Sequence, residues 1–201
     1  MSVWVEKDFE ERMQPHIDEA YRGLFTGLRE ISRSSRESDT DESVLFMDKN
    51  LAIDTVLTFN DGTVITLQEK SRRNFYYDRY GEIFTFEYYN DPRMKEEGEW
   101  FKLAAQLYFY GFVNAGENGY YKFWLLDVAK LRLCLTRRVG IAQLEREYLR
   151  YNKAPAKANF FAIPFEIIGG ECIMYVGGEV TGKAALGAEG KYAQKAALKT
   201  V

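Results

Sequence analysis

Cysteine is scarce: Cys134 and Cys172 are the only two in 201 residues. That excludes a small disulfide-stapled scaffold. The pair has no metal-knuckle spacing, and both thiols are expected to be small buried hydrophobes in a reducing cytoplasm. Histidine is scarcer still, with His16 alone, which excludes a multi-histidine metal site. No run approaches ~18 apolar residues, so no membrane span is expected. The opening MSVWVEKDFEERM is charged and has no apolar stretch of signal-peptide length. Positive charge is not in excess either: 27 Lys and Arg against 30 Asp and Glu give a net charge of −3. A packaging protein coated in positive charge is thereby excluded, although a local basic patch suffices for nucleic acid. The glycine-rich GGEVTGKAALG stretch lacks the order of a phosphate-binding loop, because Ala184 follows Lys183.

What remains is 46% apolar and 15% aromatic, with 14 Tyr and 14 Phe, enough for a sizeable core. Ile17, Ala20, Tyr21, Leu24, Phe25, Leu28 and Ile31 follow helical spacing and predict a helix over 15–31 starting at Pro15, with a short helix near 5–13 before it. Residues 32–43 contain no large apolar side chain and read as a loop. The segments 44–48, 51–59 and 63–70 read as strands, the last two joined by a turn at Asn60-Asp61-Gly62. A fourth strand is expected at 83–89, a helix at 96–113, a strand at 120–128, mostly helix over 129–151 and a strand-like run at 159–168. Pro164 favours an edge or bend in that last run. This organisation reads as one domain over 1–168, core 15–128, followed by a Gly/Ala/Lys-rich tail at 169–201.

Polar residues interrupt the apolar strands. Asp54 divides LAI from TVL, and Gln68-Glu69-Lys70 ends the next strand. Asp54 lies seven residues before Asp61 and Gln68 seven after it, so a tight hairpin sets them roughly opposite each other. Strand alternation points Gln68 and Lys70 to one face. A carboxylate, an amide oxygen and an ammonium would then converge. Such groups suit phosphodiester hydrolysis: a carboxylate holds a hard divalent ion such as Mg2+, the ion polarises phosphate and acidifies water, and a lysine orients that water or offsets transition-state charge.

The element order, with Asp54 on the second strand and Gln68-x-Lys70 on the third, resembles the PD-(D/E)XK nuclease superfamily over roughly residues 15–128. The resemblance implies an α/β restriction-endonuclease-like core: a central mixed β-sheet flanked by helices, here with extra C-terminal elements. It implies that Asp54, Gln68 and the main-chain carbonyl of Glu69 bind Mg2+ or Mn2+ and that Lys70 is catalytic. Gln68 departs from the usual Asp or Glu. Glu69 could supply the acid instead, although alternation points its side chain to the other face. Gln106-x-x-x-Tyr110, on the expected 96–113 helix, resembles the Q-x-x-x-Y motif of the RecB-type branch, where it helps hold nucleic acid. That branch can also use a first-helix histidine as a ligand, for which His16 is the candidate. Glu19, Glu10 and Glu6 remain open as alternatives.

Arg72, Arg73 and Arg79 are interleaved with Phe75, Tyr76, Tyr77 and Tyr80, a mixture suited to a nucleic-acid backbone and to base stacking. A solvated charged face is the plainer reading of the same residues. Arg137, Arg138, Arg146, Arg150, Lys153 and Lys157 form a second basic stretch with the same two readings. The expectation is a Mg2+-dependent DNA nuclease, more endonuclease than exonuclease, in DNA repair, recombination or phage DNA processing. A branched-DNA resolvase is one version and would be a homodimer. The alternative is a degenerate member that binds nucleic acid or a protein partner, which Gln68 favours.

Overall fold

The computed structural model describes residues 3–33, 42–152 and 158–178. Val3–Leu24 forms one continuous helix, α1, with Pro15 inside it, in place of the two expected. Phe9, Met13, Ile17 and Tyr21 recur every fourth residue and are at most 3% exposed. Burying four such side chains contributes about 1.5–3 kcal/mol each, against about 3 kcal/mol for an interior proline. Pro15 sits on the solvent side, so the apolar stripe wins. Gly27, at φ +76°, follows the helix, and Leu28–Arg33 is strand β1 where helix was expected to continue to residue 31. Most of the loop expected at 32–43 falls outside the described residues.

Glu42–Leu51 is helix α2, a second correction, because 44–48 was read as a strand. Ala52, at φ +46°, closes it with its N–H donating to the Asp48 carbonyl at 3.2 Å. Strands β2 (Thr55–Phe59) and β3 (Val64–Arg72) form the expected hairpin, in the register Thr55–Leu67 to Thr58–Val64. Gly62 supplies the positive φ of its turn.

The chain then makes an excursion through α3 (Asn74–Tyr80), β4 (Ile83–Asp91), β5 (Glu96–Glu97) and a single turn, α4 (Glu99–Lys102). Of the helix expected over 96–113, only that turn at Glu99–Lys102 is helical. Leu107–Val113 is strand β6, and all seven of its residues are buried. A strand covered on both faces carries no hydrophobic alternation, and that removes its signature. Tyr120–Asp127 is β7. The stretch expected to be mostly helical, 129–151, is so only to residue 147: α5 (Val128–Cys134), a π-helical turn at Leu135–Val139 and α6 (Ile141–Glu147), with a strand at 149–151 instead. Asp127 caps α5 by accepting the Lys130 N–H at 2.9 Å. Strands β8 (Leu149–Tyr151), β9 (Asn159–Pro164) and β10 (Ile173–Gly178) follow. β10 lies within the stretch read as a tail.

The fold is α/β with a mixed central sheet. Six strands run in the order β1-β2-β3-β6-β7-β10, and a smaller sheet runs β5-β4-β9-β8. Only β3 and β6 are parallel within the large sheet; its other neighbours are antiparallel. One face packs with α1 through Leu57, Leu67 and Phe109. The other packs with the small sheet through Phe84, Tyr108, Trp124 and Phe161. Alternation along β3 therefore sends Leu67 and Glu69 to the α1 side and Gln68, Lys70 and Arg72 to the small-sheet side.

Candidate functional site

The β2–β3 pairing ends at Thr55–Leu67, and Asp54 lies one residue before that end. Its N–H donates to the Leu67 carbonyl at 2.9 Å, which fixes it opposite Gln68. Its Oδ2 accepts the Glu69 N–H at 2.8 Å. Burial pushes the Asp54 carboxyl well above the usual carboxylate range, and the Glu69, Asp48 and Glu99 carboxylates push the same way against that N–H bond. In a strand the N–H and C=O of one residue point to the same side. The Glu69 carbonyl therefore projects past the last β2 pair, towards Asp54.

Gln68 carries a buried Oε1 with no hydrogen-bond partner among the described residues. An amide oxygen in that state costs about 1–3 kcal/mol. Lys70, two residues on, has its Nζ 3.2 Å from Glu99 Oε2, with side chains 17% and 9% exposed. The other Glu99 oxygen accepts the Tyr108 hydroxyl at 2.5 Å. Nothing in the spacing singles out Glu99, because the long helix expected over 96–113 is reduced to the single turn that Glu99 opens.

Glu69 turns its side chain the other way, as alternation required. Its Oε1 accepts from Tyr21 at 3.0 Å and from Thr55 at 2.8 Å, and Oε2 lies 3.5 Å from Arg33. Burial raises this carboxyl, and Arg33 opposes the shift. The Glu69 side chain is thus a core group under α1, which leaves only its carbonyl for a metal. His16 is on α1, so the sheet separates it from the face of Gln68 and Lys70. The same holds for Glu10 and Glu19, whose backbone lies on that helix. The side chain of Glu6 falls outside the described residues. Among the described residues no three His, Cys, Asp or Glu side chains form a group that could hold a metal ion. A set of Asp54, the Gln68 amide oxygen and the Glu69 carbonyl uses one carboxylate and two neutral oxygens, which is hard-cation chemistry.

The nucleic-acid contacts read from the sequence are placed differently. Tyr110 is 1% exposed on β6, and its hydroxyl donates to the Ile83 carbonyl at 3.0 Å. Gln106 precedes β6 and accepts the Thr66 N–H at 2.9 Å. The pair ties strands together, and the helix that was to present it is absent. Arg72 donates to Thr85 Oγ1 at 2.5 Å and lies 5.4 Å from the Tyr76 ring centre. Arg73 pairs with Glu117 at 2.8 Å and sits 4.1 Å over Phe9. Arg72 thus ties the excursion to β3, and Arg73 ties the end of β3 to α1 and to the turn between β6 and β7. In the second basic stretch Arg138 pairs with Glu171 and Arg146 with Glu147; Lys153 and Lys157 lie outside the described residues.

No family model matches the chain, and neither a curated protein nor a solved structure is found to be similar to it. No described helix is long and apolar enough to cross a membrane.

Proposed function

We propose that this chain is a metal-dependent DNA nuclease with a restriction-endonuclease-like core. The observation that carries the reading is the buried Gln68 Oε1, unpartnered among the described residues, on the same face as Lys70 and opposite the half-buried Asp54. The order of α1, the β1-β2-β3 meander and β6 parallel to β3 supports it, because Asp54 then enters the second strand and Gln68-x-Lys70 lies on the third. Asp54, Gln68 Oε1 and the Glu69 carbonyl would hold Mg2+ or Mn2+. When bound, such an ion polarises a phosphate and acidifies a water. Asp54 contributes the negative charge, kept in place by the Glu69 N–H. Lys70 orients the attacking water or offsets charge at the scissile phosphate, after exchanging its contact with Glu99.

The test is nicking of supercoiled plasmid in Mg2+, Mn2+ or EDTA. Wild type cleaves only with metal, and Asp54→Ala and Lys70→Ala each lose cleavage while circular dichroism shows the fold retained. Full activity in both variants would overturn the assignment.

A second reading, a nuclease-fold protein that binds nucleic acid without cutting it, is favoured by two features. Gln68 brings no charge, and Lys70 is already engaged by Glu99. Binding without cleavage in any metal selects it, and activity gained by Gln68→Glu would show which residue had silenced the site.

A further inference from the structure

Helix α3 follows β3 directly and has no fully buried residue, although Tyr76 and Tyr77 pack partly against the small-sheet core. Four of its seven residues are aromatic. Phe75 is 44% and Tyr80 54% exposed. Phe75, Tyr76 and Tyr80 form a row: the first two ring centres are 4.1 Å apart at 31°, and the next two 6.4 Å apart at 29°. The two end rings, Phe75 and Tyr80, keep about half of their surface exposed. Beside the row, Tyr77 packs 4.8 Å from Tyr121, at the edge of an open cleft of about 370 Å³ that Lys122 also lines.

The cations around this row sit over rings. Arg72 lies 5.4 Å from the Tyr76 centre and Arg79 5.1 Å from that of Tyr80. Arg79 is exposed, and among the described residues it has no carboxylate partner within ion-pair distance. Tyr76 and Tyr77 anchor the helix on the core, while Phe75 and Tyr80 stay exposed. Exposed rings with a guanidinium beside them match the chemistry of unpaired bases, which offer a π-face to each ring and a phosphate to the cation. A base-paired duplex keeps its faces stacked on each other and offers no such surface.

We propose that α3 is a base-stacking platform and that the ligand is nucleic acid with a single-stranded segment beside the Lys70 face. This rests on the nuclease reading for the meaning of that face. Asn74 is four residues beyond Lys70, about 13 Å along an extended strand, so unpaired nucleotides on the row flank a phosphate held at Lys70.

The experiment measures binding of a fluorescent oligo-dT 15-mer and of a blunt duplex of the same length by anisotropy, in EDTA, so that cleavage plays no part. Wild type binds the single strand more tightly than the duplex. Phe75→Ala and Tyr80→Ala each weaken the single strand about tenfold and leave duplex binding unchanged, while Phe75→Tyr and Tyr80→Phe, which keep the rings, retain it. Both alanine positions are exposed, and an unchanged melting temperature shows that the fold is intact. Alanine variants that bind like wild type, or a wild type that binds no single strand at low salt, overturn the platform. So does concentration-dependent self-association that the alanine variants abolish, since the patch would then be an interface between copies of this chain. A platform that passes in a protein that cuts nothing leaves this inference standing and removes the nuclease reading; cleavage with indifferent alanine variants does the reverse.

Discussion

Asp54 ties folding stability to pH. Its ordinary pKa is 3.8 and burial raises it well above that. Above about pH 4 the unfolded chain releases this proton while the folded chain retains it, so folding stability falls as pH rises until the folded-state value is passed. Asp54→Asn removes the cost and still offers an oxygen to the Glu69 N–H. Thermal melts in EDTA are expected to show the variant above wild type at pH 7.5, by roughly 3 °C for each kcal/mol relieved, with the gap closing towards pH 4. Millimolar Mg2+ should raise the melting temperature of wild type and not of Asp54→Asn, because only the wild-type carboxylate gains a ligand on folding. Equal responses of the two proteins would separate Asp54 from the cation. Tyr110 belongs to the same scale: Tyr110→Phe strands the Ile83 carbonyl and is expected to cost about 1 kcal/mol in urea unfolding, with oligonucleotide affinity unchanged. A loss of affinity at unchanged stability would restore the substrate-contact reading that its burial argues against.

Among the elements, α4 is the one the site depends on and the one least visible in the sequence. Gly98 lies against backbone: a Cβ there would stand 2.9 Å from Glu87 C and O and from Tyr88 C. Because backbone cannot swing aside, Gly98→Ala is expected to cost about 1–3 kcal/mol, shift Glu99 away from Lys70 and lower cleavage more than Glu99→Gln does. Urea unfolding alongside plasmid nicking measures both effects. The hairpin, by contrast, was legible. Asn60-Asp61-Gly62 names its own turn, and with the turn fixed the opposition of Asp54 and Gln68 follows by counting. What failed was the reading of LYFYGFV and VLFMD. The first is buried on both faces, so its pattern is equally that of a helix; the second is too short to show a period. Glu42–Leu51 becomes helical because Met47 and Leu51 pack against the small-sheet face, a fact about the tertiary structure alone. For the same reason Gln106 and Tyr110 were assigned to a helix face that the chain never makes. The residues of the candidate site sat on the legible elements, and their partner Glu99 on an illegible one.

At the level of the whole molecule, the large sheet is completed by residues beyond the segment read as the domain. β10 pairs with β7 from Ile173–Leu126 to Gly178–Lys122 and buries part of Met174 and Tyr175 against the α1-side core. A chain ending at residue 168 would expose β7 as a long apolar edge, the kind of edge that pairs with other chains. Such a truncation is expected to melt lower and to aggregate on heating, as light scattering would show. A truncated protein as stable and monodisperse as the full chain would mean that β10 contributes nothing to the sheet. The two apolar clusters share the same strands, one on each face, so both should melt in one transition.

The pairing of β4 with β9 also governs the order of events during synthesis. Phe84 and Phe86 are buried, and β4 meets β9 at Phe84–Ile163 and Phe86–Phe161. Those partners leave the ribosome some 75 residues later, roughly 4–15 s at 5–20 residues per second. During that interval the segment between the two parallel strands has no second layer, and the aromatic side of the nascent sheet faces water. The excursion that builds the site therefore makes the growing chain a client for whatever shields apolar surface at the ribosome exit, until residue 164 is free to fold back.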